Sequence, residues 1–423
     1  MNYENTVIGA LMQKPELINE VDLSADDFEI VSCKLVYQSI LDMVASNDVI
    51  DLFTVSDKLG KNHKNVQWVS FIGQAMKDCP STSNVNAYAK SIKNASMIRA
   101  AKSVCVDLLN NIDDSENSES DIDQSVKLLM ELSSVRQNHE HSMSQTITKS
   151  LEMIEAAAEN TGTVGIPTGI ERLDEVLGGF HDSDLYVIGA RPAMGKTAFL
   201  LNLCNAHQDQ CGIISAEQPA EQMGIRLIAI NGRVSAQKMR TGTMEEFDYT
   251  KLTSSVSQLH RNNNIWINDK SGISILDVIR QARKWKHQYN IKALYIDYIQ
   301  RVKWTNQRIA KWEQVGNVVQ SLKELARDLD IPVIALAQVN RDVEKRTDKR
   351  PSMGDLANSS EIEKEADIVM TLYRDEVYDE DTDQKGIMEI NVCKNRHGPT
   401  GHVKTAWIEQ YMRVEDLQRQ YRS

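Results

Sequence analysis

Apolar positions recur at helical spacing through the first part of the chain: Val7, Ile8, Leu11 and Met12, then Leu35, Val36, Ile40, Leu41 and Val44, then Leu52, Val55 and Leu59. Steps of three and four residues align one face of a helix. No strand-like alternation of useful length interrupts them. Ser81-Thr82-Ser83-Asn84 supplies a helix start before Val85, Tyr88 and Ile92. The pattern predicts an all-α domain over residues 1–110. Residues 111–164 read as a linker region. It holds an acidic, serine-rich break over 113–121, a helix from about Ile122 to Arg136, and a polar patch containing His139 and His141. No third or fourth ligand stands near the two histidines, so they read as solvated linker and not as a metal site. A further helix is predicted over Ser144–Glu159, with Ile147, Leu151, Ile154 and Ala158 on one face.

From Gly165 the period changes, and apolar runs of strand length alternate with helical stretches. They are Leu185–Gly189, Cys211–Ser215, Ile265–Ile267, Ala293–Asp297, Pro332–Leu336, Ile368–Tyr373, Ile387–Val392 and Val403–Ile408. Buried strands with helical crossovers predict an α/β domain on a largely parallel sheet, spanning 165–423. The last two, separated by Asn395-Arg396-His397-Gly398-Pro399-Thr400-Gly401, predict a β-hairpin at the edge of the sheet.

The first of these strands carries the most specific chemical signal. It runs into Ala190-Arg191-Pro192-Ala193-Met194-Gly195-Lys196-Thr197, and Ala198-Phe199-Leu200-Leu201 then continues as a helix. Strand, short loop, Gly-Lys-Thr and helix are the context of a phosphate-binding P-loop. Backbone N–H groups of such a loop and the helix dipole favour phosphate charge. Gly195 lets the backbone approach closely, Lys196 reaches the outer phosphates, and the Thr197 hydroxyl ligates Mg²⁺. The strict spacing would put the first glycine at position 190, where alanine stands, with Gly189 one residue early.

Ligands of parallel sheets bind at the carboxyl ends of strands, and three polar residues fall there. Asp297 closes Ala293-Leu294-Tyr295-Ile296, where a carboxylate would hold Mg²⁺ beside Thr197. Glu217 follows Ile213-Ile214-Ser215-Ala216 and could orient or deprotonate an attacking water. Gln338, after Val333–Ala337, could sense a γ-phosphate, although taken alone it is better explained as a capping or turn residue. Lys394 and Arg396 sit after Ile390–Cys393. They are either basic residues of a surface turn or an arginine finger that reaches the ATP of a neighbouring subunit. Arg341, Lys345, Arg346, Lys349 and Arg350 form a basic cluster, either a phosphate contact or a solvated loop.

Composition narrows the class without changing this picture. At 423 residues the chain accommodates two or three domains, and its 41% hydrophobic and 26% charged content is that of a globular protein. The formal charge of −12 excludes a surface coated for nucleic-acid binding but not a localised basic path. No apolar run approaches membrane-spanning length, so no membrane partner is expected. Met1-Asn2-Tyr3-Glu4 lacks the basic-then-apolar order of a signal peptide. Six scattered cysteines without a C-x-x-C pair suit reduced thiols in a cytoplasm.

These segments together resemble the DnaB family of replicative DNA helicases. The likeness covers Glu4–Met12, Ile50–Val55 and Asn86–Ala89 in the first domain. In the second it covers Ala190–Thr197, Ser215–Glu217, Ile296–Gln300, Ala337–Arg341, Tyr373–Tyr378 and Lys394–Pro399. Alanine at position 190 is similar to the family's own form of the loop. The resemblance implies a RecA-like P-loop ATPase domain, an all-α amino-terminal collar, and a helical linker that packs on the neighbouring protomer. It implies a homohexameric ring that binds ATP and Mg²⁺ at subunit interfaces and moves 5′ to 3′ on single-stranded DNA, with a primase and a helicase loader as partners. By the same likeness Lys196 and Thr197 serve phosphate and Mg²⁺, Asp297 is the Walker B acid, and Glu217 is the catalytic carboxylate. Gln338 couples the γ-phosphate to DNA, and Lys394 and Arg396 act in trans. The family's DNA-contacting loop matches Asp355–Ser360, which would place Ala357, Asn358 and Ser360 at the DNA. Ala357 stands where an arginine is usual and Ser360 where a glycine is usual, and Arg301 falls where an apolar residue is common. One phosphate contact is therefore expected to be missing, with backbone N–H groups left to hold the strand. A bacterial cytoplasm is the expected setting, and the compact chain also suits a phage- or mobile-element-borne form in an infected cell. Two other classes stay open from sequence: a RecA-like ATP-binding module that recruits replication partners without unwinding, and a RecA-type strand-exchange protein.

Overall fold

The computed structural model describes residues 3–417 apart from 47, 63–65, 113–120, 123, 127, 130–141, 160–163, 306–307 and 358. The acidic run over 113–120, the polar patch with His139 and His141, most of the predicted 122–136 helix after residue 129, and Asn358 lie outside the described residues. The chain divides into two compact units, 1–141 and 142–423.

The first unit is helical. Its principal helices are Tyr3–Gln13, Val31–Ala45, Leu52–Asn62, Trp68–Asp78 and Val85–Ile112. Most of the stripes read from sequence enter its core: Val7, Ile8 and Leu11 meet Val36 and Ile40, with Val55, Val85 and Ile92. Tyr37 and Ile72 join them, whereas Val44 at the end of its helix is exposed. Each fully buried aliphatic side chain contributes on the order of 1.5–3 kcal/mol relative to exposure.

The second unit contains the helix Met143–Glu159, whose Met143, Ile147, Leu151 and Ile154 are exposed, followed by an α/β body. Its strands are β1 (Leu185–Ala190), β2 (Cys211–Ser215), β3 (Ile265–Asn268), β4 (Ala293–Asp297), β5 (Val333–Gln338), β6 (Ile368–Tyr373), β7 (Ile387–Asn395), β8 (Gly401–Ile408) and β9 (Arg413–Asp416). They form one sheet in the order β3-β2-β4-β5-β1-β6-β7-β8-β9. The pairs from β3 to β6 are parallel and those from β6 to β9 antiparallel. The side-chain period of two sorts each strand onto two cores. Tyr186, Ile188, Ile334 and Leu336 face one, while Leu185, Val187, Val333 and Ala335 face the other. Both faces are covered, which is why these strands read as continuous apolar runs.

The predicted strands are present, with three differences. β5 runs to Gln338, so that residue ends the strand and does not follow it. β7 runs to Asn395, which places Lys394 in the strand and not in the turn. The β7–β8 hairpin is not at the edge, because β9 pairs with β8 outside it. β9 carries a single apolar residue, Val414, and offered no periodicity to read. Among the described residues no helix is long and apolar enough to cross a membrane.

Candidate functional site

The parallel strands deliver their carboxyl ends to one cleft of about 400 Å³. β1 runs into the loop Arg191–Gly195, and the helix Lys196–Ala206 begins at once. Gly195 caps that helix at φ +89°, and a Cβ there would lie 3.0 Å from the Trp407 ring. Only glycine suits that backbone without strain. Ala190 needs no such freedom: it is the last residue of β1, buried in register with Gln338. That accounts for the alanine in the loop signature.

Lys196, Thr197, Glu217 and Gln338 line this cleft together with Arg191, Pro192, Ala193 and Gly195. The Thr197 hydroxyl donates to Asp297 Oδ2 at 2.7 Å. Asp297 is fully buried at the end of β4, and its Oδ1 has no hydrogen-bond partner among the described residues. Burial pushes the Asp297 carboxyl above its ordinary range, the Thr197 hydrogen bond and the Lys196 charge pull it back, and Glu217 raises it again. A hydroxyl beside a buried carboxylate with an unused oxygen is a hard-oxygen donor set that fits Mg²⁺. Such an ion usually takes one or two protein ligands and completes its shell with phosphate and water. Among the described residues no larger cluster of His, Cys, Asp or Glu could hold a metal.

Lys196 Nζ lies 4.0 Å from the centroid of the Tyr298 ring. Its burial lowers its pKa, countered by the charges of Asp297 and Glu217. Arg226, on the helix Ala220–Gly232, behaves alike: burial lowers it, and Asp297 and Glu217 oppose the shift. The sheltered cationic end of this cleft is electrostatically suited to a polyphosphate.

Two residues of the expected nucleotide loop do something else. Arg191 turns its guanidinium to Glu344 (Nε–Oε1 2.8 Å) and to the Val339 carbonyl (2.9 Å), so it braces the segment after β5. Met194 packs its side chain into the core, where its sulfur accepts the Arg374 N–H at 3.3 Å. Arg374 in turn donates to the Ala193 carbonyl at 3.3 Å and stacks over Trp407. It follows the end of β6, so the strand-end rule that found Glu217 would have found it too. Nothing local in the sequence marks Arg226.

The loop after β5 is wired to the cleft. The Gln338 carbonyl accepts the Ala357 N–H at 2.9 Å, and Val339 pairs with Leu356 in a bridge. Gln300, just beyond β4, accepts the Gln338 N–H at 3.2 Å and donates to the Ala357 carbonyl at 3.5 Å. Ser360 is exposed at the start of the helix Ser359–Glu365. Much of the basic cluster is paired: Lys345 with Asp342, Arg346 with Asp355 at the head of this loop, and Arg350 with buried Glu389 at 2.6 Å.

Lys394 and Arg396 lie elsewhere. β7 runs antiparallel, so Lys394 pairs with Val369 at the amino end of β6, the end of the sheet away from the cleft. Lys394 Nζ donates to the carbonyls of Glu363 (2.6 Å) and Ala366 (2.7 Å). Arg396 donates to the Lys364 carbonyl (2.6 Å) and to Asp367 (3.3 Å). Neither reaches the cleft of its own chain.

The sequence matches the models of the DnaB-like helicase C terminal domain over residues 165–416 and the DnaB-like helicase N terminal domain over 1–94. It is 33% identical to the replicative DNA helicase DnaC of Bacillus subtilis and 32% identical to the replicative DNA helicase DnaB of Geobacillus stearothermophilus. Each alignment covers 99% of this chain and 94% of the relative. Among solved structures, a DnaB-like replicative helicase described with its interactions with primase superposes with a TM-score of 0.76 at 28% identity, covering 98% of this chain and 99% of the other. A second solved chain, described as an ATPase domain, superposes with a TM-score of 0.63 at 33% identity, covering 66% of this chain and all of that one.

Proposed function

The chain belongs to the DnaB-like helicase family and is an ATP-dependent replicative DNA helicase, and on that premise we propose how its residues divide the work. Six copies form a ring that encircles one DNA strand and moves 5′ to 3′, with the helix Met143–Glu159 laying its exposed apolar stripe on the next protomer. Lys196 and the Arg191–Gly195 backbone bind the ATP phosphates. Thr197 and Asp297 hold Mg²⁺, which supplies charge neutralisation to the phosphates when bound. Glu217 orients the attacking water and accepts its proton. Lys394 and Arg396 complete the neighbouring protomer's site. The loop Asp355–Ser360 faces the DNA with Ala357, Asn358 and Ser360. Because the Ala357 N–H is taken by the Gln338 carbonyl, the N–H groups that follow Ala357 hold the DNA backbone. A primase and a loader bind the ring in the bacterial cytoplasm.

The observation that carries this reading is the hydrogen bond from Ala357 N–H to the Gln338 carbonyl. It joins a residue of the nucleotide cleft to the loop assigned to DNA, which a motor needs and a passive assembly module does not. A forked duplex with a 5′ tail tests it. Strand release is expected with ATP and Mg²⁺, whereas a recruiting module would bind ATP, form rings and displace nothing.

Gln300 is the positioning residue of this linkage. Gln300→Ala is expected to lower stimulation of ATP turnover by single-stranded DNA by roughly 5-fold or more, the scale of a typical coupling between sites. Its turnover without DNA should move far less. A stimulation ratio equal to that of the wild type, measured by phosphate release with and without DNA, would remove Gln300 from the path.

A further inference from the structure

The helix Lys311–Leu329 buries one stripe: Val315, Gly316, Val319, Leu322 and Ala326. Trp312 stands three and four residues before Val315 and Gly316, and so lies on that same stripe. It is nevertheless 59% exposed. The stripe has run past the end of the core, and a large aromatic ring is left in solvent.

What it stands beside is fixed by Gly316. A Cβ at position 316 would lie 2.8 Å from Glu361 Cγ, so the two helices touch closely there. Glu361 belongs to the helix Ser359–Glu365, which continues directly from the loop Asp355–Ser360. The helix Lys311–Leu329 runs back from the sheet end where β4 finishes, and the helix Ser359–Glu365 runs from the loop after β5 toward the start of β6. Both therefore begin at the cleft end of the sheet, and Trp312, one turn before Gly316, lies toward that loop. Exposed Lys311 precedes it. The loop itself offers small side chains at Ala357 and Ser360.

We propose that Trp312 is a base-stacking platform for single-stranded DNA. A base stacks on its indole while the N–H groups that follow Ala357 hold the adjoining phosphates and Lys311 adds positive charge. The proposal rests on the reading of Asp355–Ser360 as the DNA-holding loop. Every base presents a π-face, so an aromatic platform grips the strand without reading sequence. In this chain it adds grip at a point where an arginine side chain is lacking.

The test uses the full-length protein with Mg²⁺ and a non-hydrolysable ATP analogue. Binding is read by fluorescence anisotropy of labelled oligothymidylate and of an abasic oligonucleotide of equal length. Trp312→Ala is expected to weaken oligothymidylate binding roughly 5- to 100-fold, to change abasic binding little, and to form rings as the wild type does. Trp312→Phe should restore most of the affinity. Three results overturn the stacking role: undiminished oligothymidylate binding by Trp312→Ala, equal losses on both oligonucleotides, or failure of that variant to assemble, which would place the indole against a neighbouring copy. A wild type that binds neither oligonucleotide would instead overturn the DNA reading of the loop.

Discussion

Lys196→Ala abolishes ATP turnover: the expected fall in kcat is roughly 10³-fold or more, the scale for removing a preorganised charge from a sheltered site. The side chain is directed into the cleft, with Nζ over the Tyr298 ring and close enough to Asp297 and Glu217 for their charges to be felt. Without a nucleotide the ammonium sits between burial, which disfavours its charge, and two carboxylates, which favour it. Phosphate oxygens at the same place would settle that balance toward the cation, and the cation would stabilise the charge that develops as the γ-phosphoryl group leaves. Alanine removes this and leaves Asp297 and Glu217 opposed by Arg226 without the lysine where the polyanion binds. Nucleotide affinity should fall as well. The fold should not, because no hydrogen bond or ion pair of Lys196 holds the body together among the described residues. Phosphate release measured beside thermal melting checks both halves. Turnover within a few-fold of the wild type at an unchanged melting temperature would mean that the site lies elsewhere.

How far the sequence discloses this site depends on what kind of fact each residue represents. Thr197 is legible from the Gly-Lys-Thr loop signature. Asp297 and Glu217 are legible because a rule of topology places ligands at the carboxyl ends of parallel strands, where apolar runs ending in a polar residue can be seen in a linear string. Arg374 obeys the same rule after β6 and could have been read with them. Arg191 obeys the loop signature, yet its guanidinium is held by Glu344, a residue 153 positions away. No local pattern encodes that. Gln300, Arg226 and Trp312 are of the second kind. Each is placed by the packing of helices or loops that are distant in sequence. Although Gln300 ends a segment that shares the family likeness, nothing local marks the contacts of any of the three. The same distinction explains the fold. Strands buried on both faces announce themselves as Val/Ile/Leu runs, whereas β9, with Val414 between Arg413 and Glu415, is held by its ladder to β8 and by the Val414 N–H donating to Asn202.

Arg396→Ala is the second variant with a large expected effect, and its logic is geometric. Arg396 sits at the opposite end of the sheet from the nucleotide cleft, so any role in cleaving ATP must be exercised on another copy. An arginine finger is worth on the order of 10³-fold in kcat or more, and turnover of Arg396→Ala should fall by that order. The stability cost should be small. The side chain is 47% exposed, and its partner Asp367 keeps Lys323 at 2.6 Å and the Leu185 N–H at 2.8 Å. Complementation distinguishes a finger in trans from a local structural role. Arg396→Ala supplies intact Lys196, and Lys196→Ala supplies intact Arg396. With head-to-tail contacts, randomly mixed rings of two inactive variants rebuild roughly a quarter of their interfaces as complete sites. Mixing and exchanging the two should therefore restore measurable phosphate release from two preparations that have almost none. Wild-type turnover by Arg396→Ala alone, or persistent inactivity of rings proven to be mixed, would refute the trans arrangement. Partial recovery would tie catalysis to the closed assembly, because the site of each protomer would then be finished only by its neighbour.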